Sequence, residues 1–167
     1  MADVSNSKLF ETVKGIQSIK DALIVLVKTE WNAAIVDELE RGCLKVCREN
    51  NIETKTIVVP GAIEIPFAIQ QSWNSDKTPS AFVALGCVVR GGTPHFEYVC
   101  QSVTQGITQL NLSLPVPVIF GVLTVDSNEQ AKERIGGVHG HKGEEAAITA
   151  IKMMVLNNQF QNDNRES

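Results

Sequence analysis

Residues 81–98 have the sequence AFVALGCVVRGGTPHFEY, which predicts a strand, a tight loop and a helix in succession. The unbroken apolar run Ala81–Val89 is typical of a parallel strand that is buried on both faces. Gly91 and Gly92 allow a close turn, and Pro94 suits the first position of a helix that would extend to about residue 112. The apolar side chains of that helix recur at three- and four-residue steps and define its buried face: Phe96, Val99, Cys100, Val103, Ile107 and Leu110.

The same alternation of strand and helix recurs on both sides of that segment. Further strands are predicted at Ala22–Val27, Lys55–Pro60 and Pro117–Thr124, and further helices at 32–50, 64–73, 127–136 and 144–157. Ser127 and Gln130 have the spacing of a capping box, which would begin the fourth helix, and Gly136 is placed to end it. Strands that alternate with helices through short connections predict a parallel sheet with helices on both faces. We therefore predict an α/β fold, a flavodoxin-like three-layer α/β/α sandwich with a four-stranded parallel sheet, and expect an additional short strand before Ala22.

Composition and charge exclude several classes of protein. The chain has 167 residues, the usual size of a single domain, and we expect a core at about 20–160 with frayed ends. Fifteen Lys and Arg against nineteen Asp and Glu give a net charge of −4, which argues against nucleic acid binding. The apolar runs Ala22–Val27 and Ala81–Val89 are both far shorter than the roughly 20 residues that a membrane helix needs.

The first residues and the cysteines indicate a cytoplasmic protein. The first 15 residues contain Asp3 and Glu11 and no apolar stretch that could act as a secretion signal. Cys43 and Cys47 lie one helical turn apart among apolar residues, so buried reduced thiols are expected rather than disulfides. No Cys-x2-Cys pair is present, which disfavours a zinc site.

The loops after the strands are the expected place for a ligand, because open parallel sheets bind ligands beyond the carboxyl ends of their strands. Trp31 follows the first strand and is either a lid over the helix end or a platform for stacking. Glu64 follows the second strand, where a carboxylate could bind a ligand or could simply favour a helix N-terminus.

The loop after the third strand carries the clearest chemistry. Gly92 lets the backbone approach a ligand, Thr93 can cap the helix, and the free amides of the first helical turn form a natural phosphate site. His95 is expected at the second helical position. It is either a base that works near neutral pH or a surface histidine.

The cations and histidines near the end of the chain give weaker signals. Arg134 is expected in the last turn of its helix, where a cation is favoured without any ligand. Lys142 precedes the last helix, where a lone cation is unfavourable, so an anionic partner would explain it. The segment GVHGHKG does not have the spacing of a P-loop. His139 and His141 are too few for a metal site, so solvated loop histidines are expected.

Several segments together resemble the 6,7-dimethyl-8-ribityllumazine synthase family. They are VPGAIEIPFA (Val59–Ala68), LGCVVRGGTPHFEYVC (Leu85–Cys100), PVIFGVLT, EQAKERIG and the later HKG. The resemblance extends in order from Ala22 to Phe160. It implies an enzyme of riboflavin biosynthesis that condenses 5-amino-6-ribitylaminouracil with 3,4-dihydroxy-2-butanone 4-phosphate and releases phosphate and water. It also implies that no metal and no cofactor is used.

The resemblance assigns roles to individual residues. It implies that the pyrimidine substrate binds to Trp31, Asn32, Ala62, Ile63, Glu64, Val88 and Val89. In that assignment Trp31 stacks on the pyrimidine ring, and the carboxylate of Glu64 accepts hydrogen bonds from the ribityl hydroxyls. Gly92 and Thr93 offer backbone amides to the phosphate, and His95 transfers a proton.

The resemblance further implies an oligomer. Phe120, Arg134 and Lys142 would reach the site from a neighbouring subunit, with Arg134 as a bidentate clamp on the phosphate. The expected assembly is a homopentamer. Because the loop GGVHGHKG is short, we expect these pentamers to form an icosahedral shell.

Two other functions are compatible with the sequence. An archaeal-type riboflavin synthase shares the general fold and consumes the lumazine, but it needs no phosphate site. A non-catalytic relative that binds flavin or forms a shell would keep the fold and the assembly without forming product.

Overall fold

Four parallel strands and five helices make up most of the chain in the computed structural model, which describes residues 7–10 and 21–166. The sheet contains β1 (Leu23–Thr29), β2 (Glu53–Val59), β3 (Ala81–Val89) and β4 (Val118–Val125). The helices are α1 (Ala33–Glu49), α2 (Ile65–Ser75), α3 (His95–Ser113), α4 (Asn128–Lys132) and α5 (Lys142–Glu166). The additional strand expected before Ala22 falls largely on residues outside the described ranges.

The strands lie side by side in the order β2-β1-β3-β4. All three pairings are parallel, with Leu23 opposite Glu53, Ile24 opposite Ala81, and Phe82 opposite Val118. Pro66 lies in the first turn of α2, where its missing N–H costs no helical hydrogen bond. The predicted α/β fold with a four-stranded parallel sheet is therefore confirmed.

The sheet is covered on both faces, because successive side chains of a strand point in opposite directions. In β1, Ile24 and Leu26 belong to the core shared with α1 and α5. Val25 and Val27 belong to a second core, which is shared with α2 and α3. The helices thus form the outer two of three layers.

The start of α5 packs tightly on α1. A Cβ atom built on Gly143 would lie 2.0 Å from the carbonyl oxygen of Leu39, so only a glycine permits this approach. The thiol of Cys43 donates a hydrogen bond to the carbonyl oxygen of Gly143 at 2.9 Å. The backbones of α1 and α5 are therefore in direct contact, beside the core that these helices share with this face of the sheet.

The segment after β4 differs from the prediction. The Ser127 hydroxyl accepts from the N–H of Gln130 at 3.3 Å, so the predicted start of the fourth helix is confirmed. The helix ends at Lys132, however, and the prediction that Gly136 ends it is wrong. The chain instead forms a short antiparallel ribbon of β5 (Ile135–Gly137) and β6 (Gly140–His141), in which Gly136 adopts a φ of 112° at an irregular pairing.

The last helix is longer than predicted. It begins at Lys142 and continues to Glu166, through most of the polar tail that composition marks as frayed. The tail contains neither proline nor glycine, so no residue in it stops the helix. The side-chain amide of Asn157 donates to the carbonyl oxygen of Pro115 at 2.9 Å and ties the helix to the loop before β4.

Candidate active site

A cavity of about 490 Å³ lies at the carboxyl ends of β1 and β3. These two strands are neighbours, but the helices that follow them, α1 and α3, cover opposite faces of the sheet. A crevice forms at such a reversal of strand order. The cavity is lined by Thr29, Trp31, Asn32, Gly61, Ala62, Ile63, Glu64, Cys87, Val88, Val89, His95 and Val99. Eight predicted site residues are therefore together: Trp31, Asn32, Ala62, Ile63, Glu64, Val88, Val89 and His95.

Trp31 and Asn32 form one wall of this cavity. Trp31 is 73% exposed, which is the state of a free aromatic face rather than of a lid packed over a helix end. Asn32 adopts left-handed backbone angles, φ 59° and ψ 39°, at the beginning of α1. Its side-chain amide donates to the carbonyl oxygen of Cys87 at 2.8 Å, which joins the β1–α1 loop to the end of β3.

Glu64 and Gly61 form the opposite wall. Glu64 precedes α2 but makes no side-chain hydrogen bond that caps the helix. A Cβ atom on Gly61 would lie 3.0 Å from Oε2 of Glu64 and 3.5 Å from the ring of Trp31. The small Gly61 thus leaves room for both side chains in the cavity.

The β3–α3 loop leads to His95 at the edge of the cavity. Pro94 caps the helix with φ −63° and ψ −1°, and His95 is the first helical residue rather than the second. The predicted role of Thr93 as a cap is wrong, because the cap position belongs to Pro94 and carries no side-chain hydrogen bond. Cβ atoms built on Gly91 and Gly92 would meet no heavy atom within 4 Å, so the backbone there is open to a ligand.

A second cavity, of about 730 Å³, lies along β4 beside α5. It is lined by Phe120, Arg134 and Lys142, the three predicted site residues that the resemblance assigns to a neighbouring subunit. Phe120 is 41% exposed on β4, which is an edge strand of the sheet. A single chain therefore places these three residues in a different cavity from His95.

Arg134 and Lys142 differ from expectation in their local structure. Arg134 lies beyond the end of α4, donates to the carbonyl oxygen of Gln130 at 2.6 Å, and has a buried Nε without a partner among the described residues. Lys142 is 8% exposed, and its ammonium lies 2.8 Å from each carboxylate oxygen of Glu145. The anionic partner that the sequence predicts for Lys142 is thus the carboxylate of Glu145, in the same helix.

The two loop histidines are not equivalent. His139 is exposed, as expected, and lies 3.8 Å from a carboxylate oxygen of Glu133. The expectation of solvation is wrong for His141, which is half-buried against Gly42 of α1, with Nε2 3.4 Å from Glu38. The part of the chain that the structure describes contains no cluster of three or more metal-binding side chains.

Sequence reasoning missed four residues that line the first cavity: Thr29, Gly61, Cys87 and Val99. Thr29 and Cys87 lie at the carboxyl ends of β1 and β3, so their position in the strands could have indicated them. Burial raises the pKa of the Cys87 thiol to about 11, which keeps the thiol protonated at neutral pH.

Comparison with known proteins identifies the family. A sequence model of 6,7-dimethyl-8-ribityllumazine synthase matches residues 21–158. The chain is 48% identical over 140 residues to the 6,7-dimethyl-8-ribityllumazine synthase of Porphyromonas gingivalis, covering 82% of this chain and 86% of that protein. The protein of the same name from Parabacteroides distasonis is 46% identical over 134 residues, covering 78% of this chain and 83% of that protein.

The remaining comparisons add little. A solved structure of a GDP-L-fucose synthetase from Naegleria fowleri aligns with 86% of this chain and 45% of that chain, at 10% identity. Its TM-score is 0.31, too low to support an argument. Within residues 7–10 and 21–166, no helix is both long and apolar enough to span a membrane.

The match to the family model and the identity with these two relatives show that the chain belongs to the 6,7-dimethyl-8-ribityllumazine synthase family.

Proposed function

We propose that this chain catalyses the lumazine synthase reaction of riboflavin biosynthesis. The substrates are 5-amino-6-ribitylaminouracil and 3,4-dihydroxy-2-butanone 4-phosphate, and the products are the lumazine, phosphate and water. The observation that carries the proposal is the cavity at the ends of β1 and β3, which brings Trp31, Glu64 and His95 together in a member of this family.

The pyrimidine substrate occupies the side of the cavity next to Trp31. The exposed indole stacks on the ring, a contact worth roughly 0.5–1.5 kcal/mol beyond its buried area. Glu64 accepts hydrogen bonds from the ribityl hydroxyls, and Val88 and Val89 bind the ring edge through main-chain groups. Asn32, Ala62 and Ile63 complete this side.

The phosphate of the second substrate binds where the β3–α3 loop enters the helix. In this proposal the amides of Gly92 and Thr93 donate to the phosphate, and the N-terminus of α3 favours a negative charge there. The pyrimidine's amine attacks the ketone and forms a Schiff base with loss of water. His95 then moves a proton from the sugar carbon as phosphate leaves, and ring closure releases a second water.

A neighbouring subunit completes the site in this proposal, and the assembly is a homopentamer. Three observations support it. Phe120, Arg134 and Lys142 line a cavity that does not contain His95. The buried Nε of Arg134 has no partner in the described part of the chain, so it can donate to a phosphate. The edge strand β4 bears no charged side chain, and an uncharged edge is prone to pair with another chain.

We also place the protein in the cytoplasm and propose that twelve pentamers form an icosahedral shell. The location is supported by the four unpaired cysteines, which persist as thiols in a reducing compartment. The shell is supported by the short connection between α4 and α5. Light scattering distinguishes a pentamer of about 91 kDa (5 × 18.2 kDa) from a shell of about 1.1 MDa (60 × 18.2 kDa).

The test of the reaction is to mix both substrates with the protein and to follow the absorbance and fluorescence of the lumazine. Product should form with butanone phosphate and not with the same four-carbon compound that lacks the phosphate. Consumption of added lumazine without butanone phosphate would identify a riboflavin synthase instead. Substrate binding without any product would identify a non-catalytic relative.

A further inference from the structure

The β3–α3 loop lacks the support that buried loops receive from packing. Every residue from Arg90 to His95 is exposed. The two glycines in it have no neighbouring heavy atoms where a side chain would begin. Because this loop carries Gly92, Thr93 and His95, something other than the packed core of its own chain must define its shape.

Arg90 is the side chain that ties the loop to the elements around it. Its Nε donates to Oδ1 of Asp126 at 2.7 Å, just beyond the end of β4. Its Nη1 donates to Oε1 of Glu97 in the first turn of α3. Its guanidinium lies over the ring of Phe96, 4.2 Å from the centroid, and its backbone N–H donates to the carbonyl oxygen of Val125 at 2.9 Å.

These contacts act as one clamp rather than as separate surface ion pairs. A single exposed ion pair contributes little. Here one planar group makes two hydrogen bonds in different directions and also stacks on Phe96, the residue next to His95. A lysine has no planar fork and cannot make this combination. The hydrogen bond from Arg90 lowers the pKa of Glu97, so this carboxylate stays ionised at neutral pH.

We propose that Arg90 is a positioning residue for the phosphate-binding loop. It fixes the ends of the loop so that the amides at Gly92 and Thr93 and the ring of His95 keep their places. Arg90 is not itself the phosphate ligand, because its donors are already directed to Asp126 and Glu97. This inference rests on the proposed function of the same site.

The test compares Arg90→Lys, Arg90→Ala and Glu97→Gln in the full-length protein, with both Michaelis constants measured for each. Arg90→Lys keeps the charge but loses the clamp, so the KM for butanone phosphate should rise about tenfold, since small misplacements of reacting groups are costly. The KM for the pyrimidine substrate should stay within about twofold, because Trp31 and Glu64 lie outside the clamp.

Glu97→Gln separates positioning from simple charge. The substitution removes a negative charge near the phosphate, so a purely electrostatic effect, or an Arg90 freed to bind phosphate, would strengthen the binding of anions. Positioning predicts the opposite: a higher KM for butanone phosphate and weaker binding of inorganic phosphate in titration calorimetry. The sign of this one change therefore decides between the two explanations.

Arg48→Ala is the matched control, because Arg48 is exposed on α1 and its Nε donates within its own helix, to the carbonyl oxygen of Leu44 at 3.2 Å. It should leave both Michaelis constants unchanged. The inference is wrong if Arg90→Lys keeps the natural KM for butanone phosphate, or if Glu97→Gln lowers it. If the protein without any substitution made no lumazine, the proposed function would be refuted instead. A lower melting temperature would reveal a folding defect in any variant.

Discussion

Replacing Gly143 by alanine should destabilise the protein, because its Cβ would lie 2.0 Å from the carbonyl oxygen of Leu39. Contacts under 3.0 Å are essentially never made by real Cβ atoms, so α5 must move away from α1 by about 1 Å (3.0 − 2.0). Overpacking of this kind costs about 1–3 kcal/mol. The hydrogen bond from Cys43 to Gly143, worth about 1 kcal/mol, would weaken as well.

One effect acts in the opposite direction: alanine favours a helix over glycine by about 0.5–1 kcal/mol. The net loss should therefore be about 2 kcal/mol, which corresponds to a fall in melting temperature of about 4–8 °C for a chain of this size. Differential scanning calorimetry at a fixed protein concentration measures it, since the stability of an oligomer depends on concentration.

Gly91→Ala is the matched control for this measurement. No heavy atom lies within 4 Å of the added methyl group, so the melting temperature should stay within about 1 °C. An unchanged melting temperature for Gly143→Ala would show that α1 and α5 do not approach each other as closely as described, and the reasoning from this contact would be refuted.

Four other changes test the site and the charges around it. His95→Ala should slow turnover without abolishing it, since holding the two substrates together supplies roughly 7–11 kcal/mol of the catalytic effect, and a folded variant with no activity would contradict this. Arg134→Ala should chiefly raise the KM for butanone phosphate, so an unaltered KM would exclude a role of Arg134 in binding the phosphate. Glu145→Gln should lower the free energy of unfolding by about 2–4 kcal/mol in denaturant titration, because it leaves the buried ammonium of Lys142 unpaired; equal stability would show that this ammonium finds another partner. Hydrogen bonds to Glu40 and, to a lesser extent, Asp37 raise the pKa of Lys28 above its usual 10.5. The variant Lys28→Met should therefore be less stable than the natural protein below pH 10.5, and the difference in stability should shrink at higher pH. A difference that does not depend on pH would contradict this role of the Lys28 ammonium.

The two central strands of the sheet, β1 and β3, could be predicted from the sequence because they are buried on both faces. A strand such as Ala81–Val89 must be apolar at every position, which distinguishes it from helices that carry a polar face. The start of α4 could also be predicted, since the hydroxyl of Ser127 accepts a hydrogen bond from a free N–H of the first helical turn. The end of α4 could not be predicted, because Gly136 belongs to the ribbon of β5 and β6. Pairing between strands as short as these has no clear sequence pattern.

The candidate site was predictable in part for a related reason. Ligands of parallel sheets bind beyond the carboxyl ends of the strands, so topology indicated the loops that carry Trp31, Glu64 and His95, and the resemblance to the family assigned these residues to one site. Partners created by tertiary packing could not be foreseen in the same way. The contact of His141 with Glu38 joins positions 103 residues apart, and the clamp around Arg90 depends on how the ends of β3 and β4 align.

The contact between α1 and α5 also has a consequence for how the chain is made. On the ribosome, the last residue of α1 emerges 93 residues before the first residue of α5 (142 − 49). At roughly 5–20 residues per second, the apolar face of α1 waits about 5–20 s for its cover. During that interval Ile35, Leu39 and Cys43 lack the part of their cover that α5 provides in the finished protein, so the nascent chain exposes an apolar surface that favours aggregation.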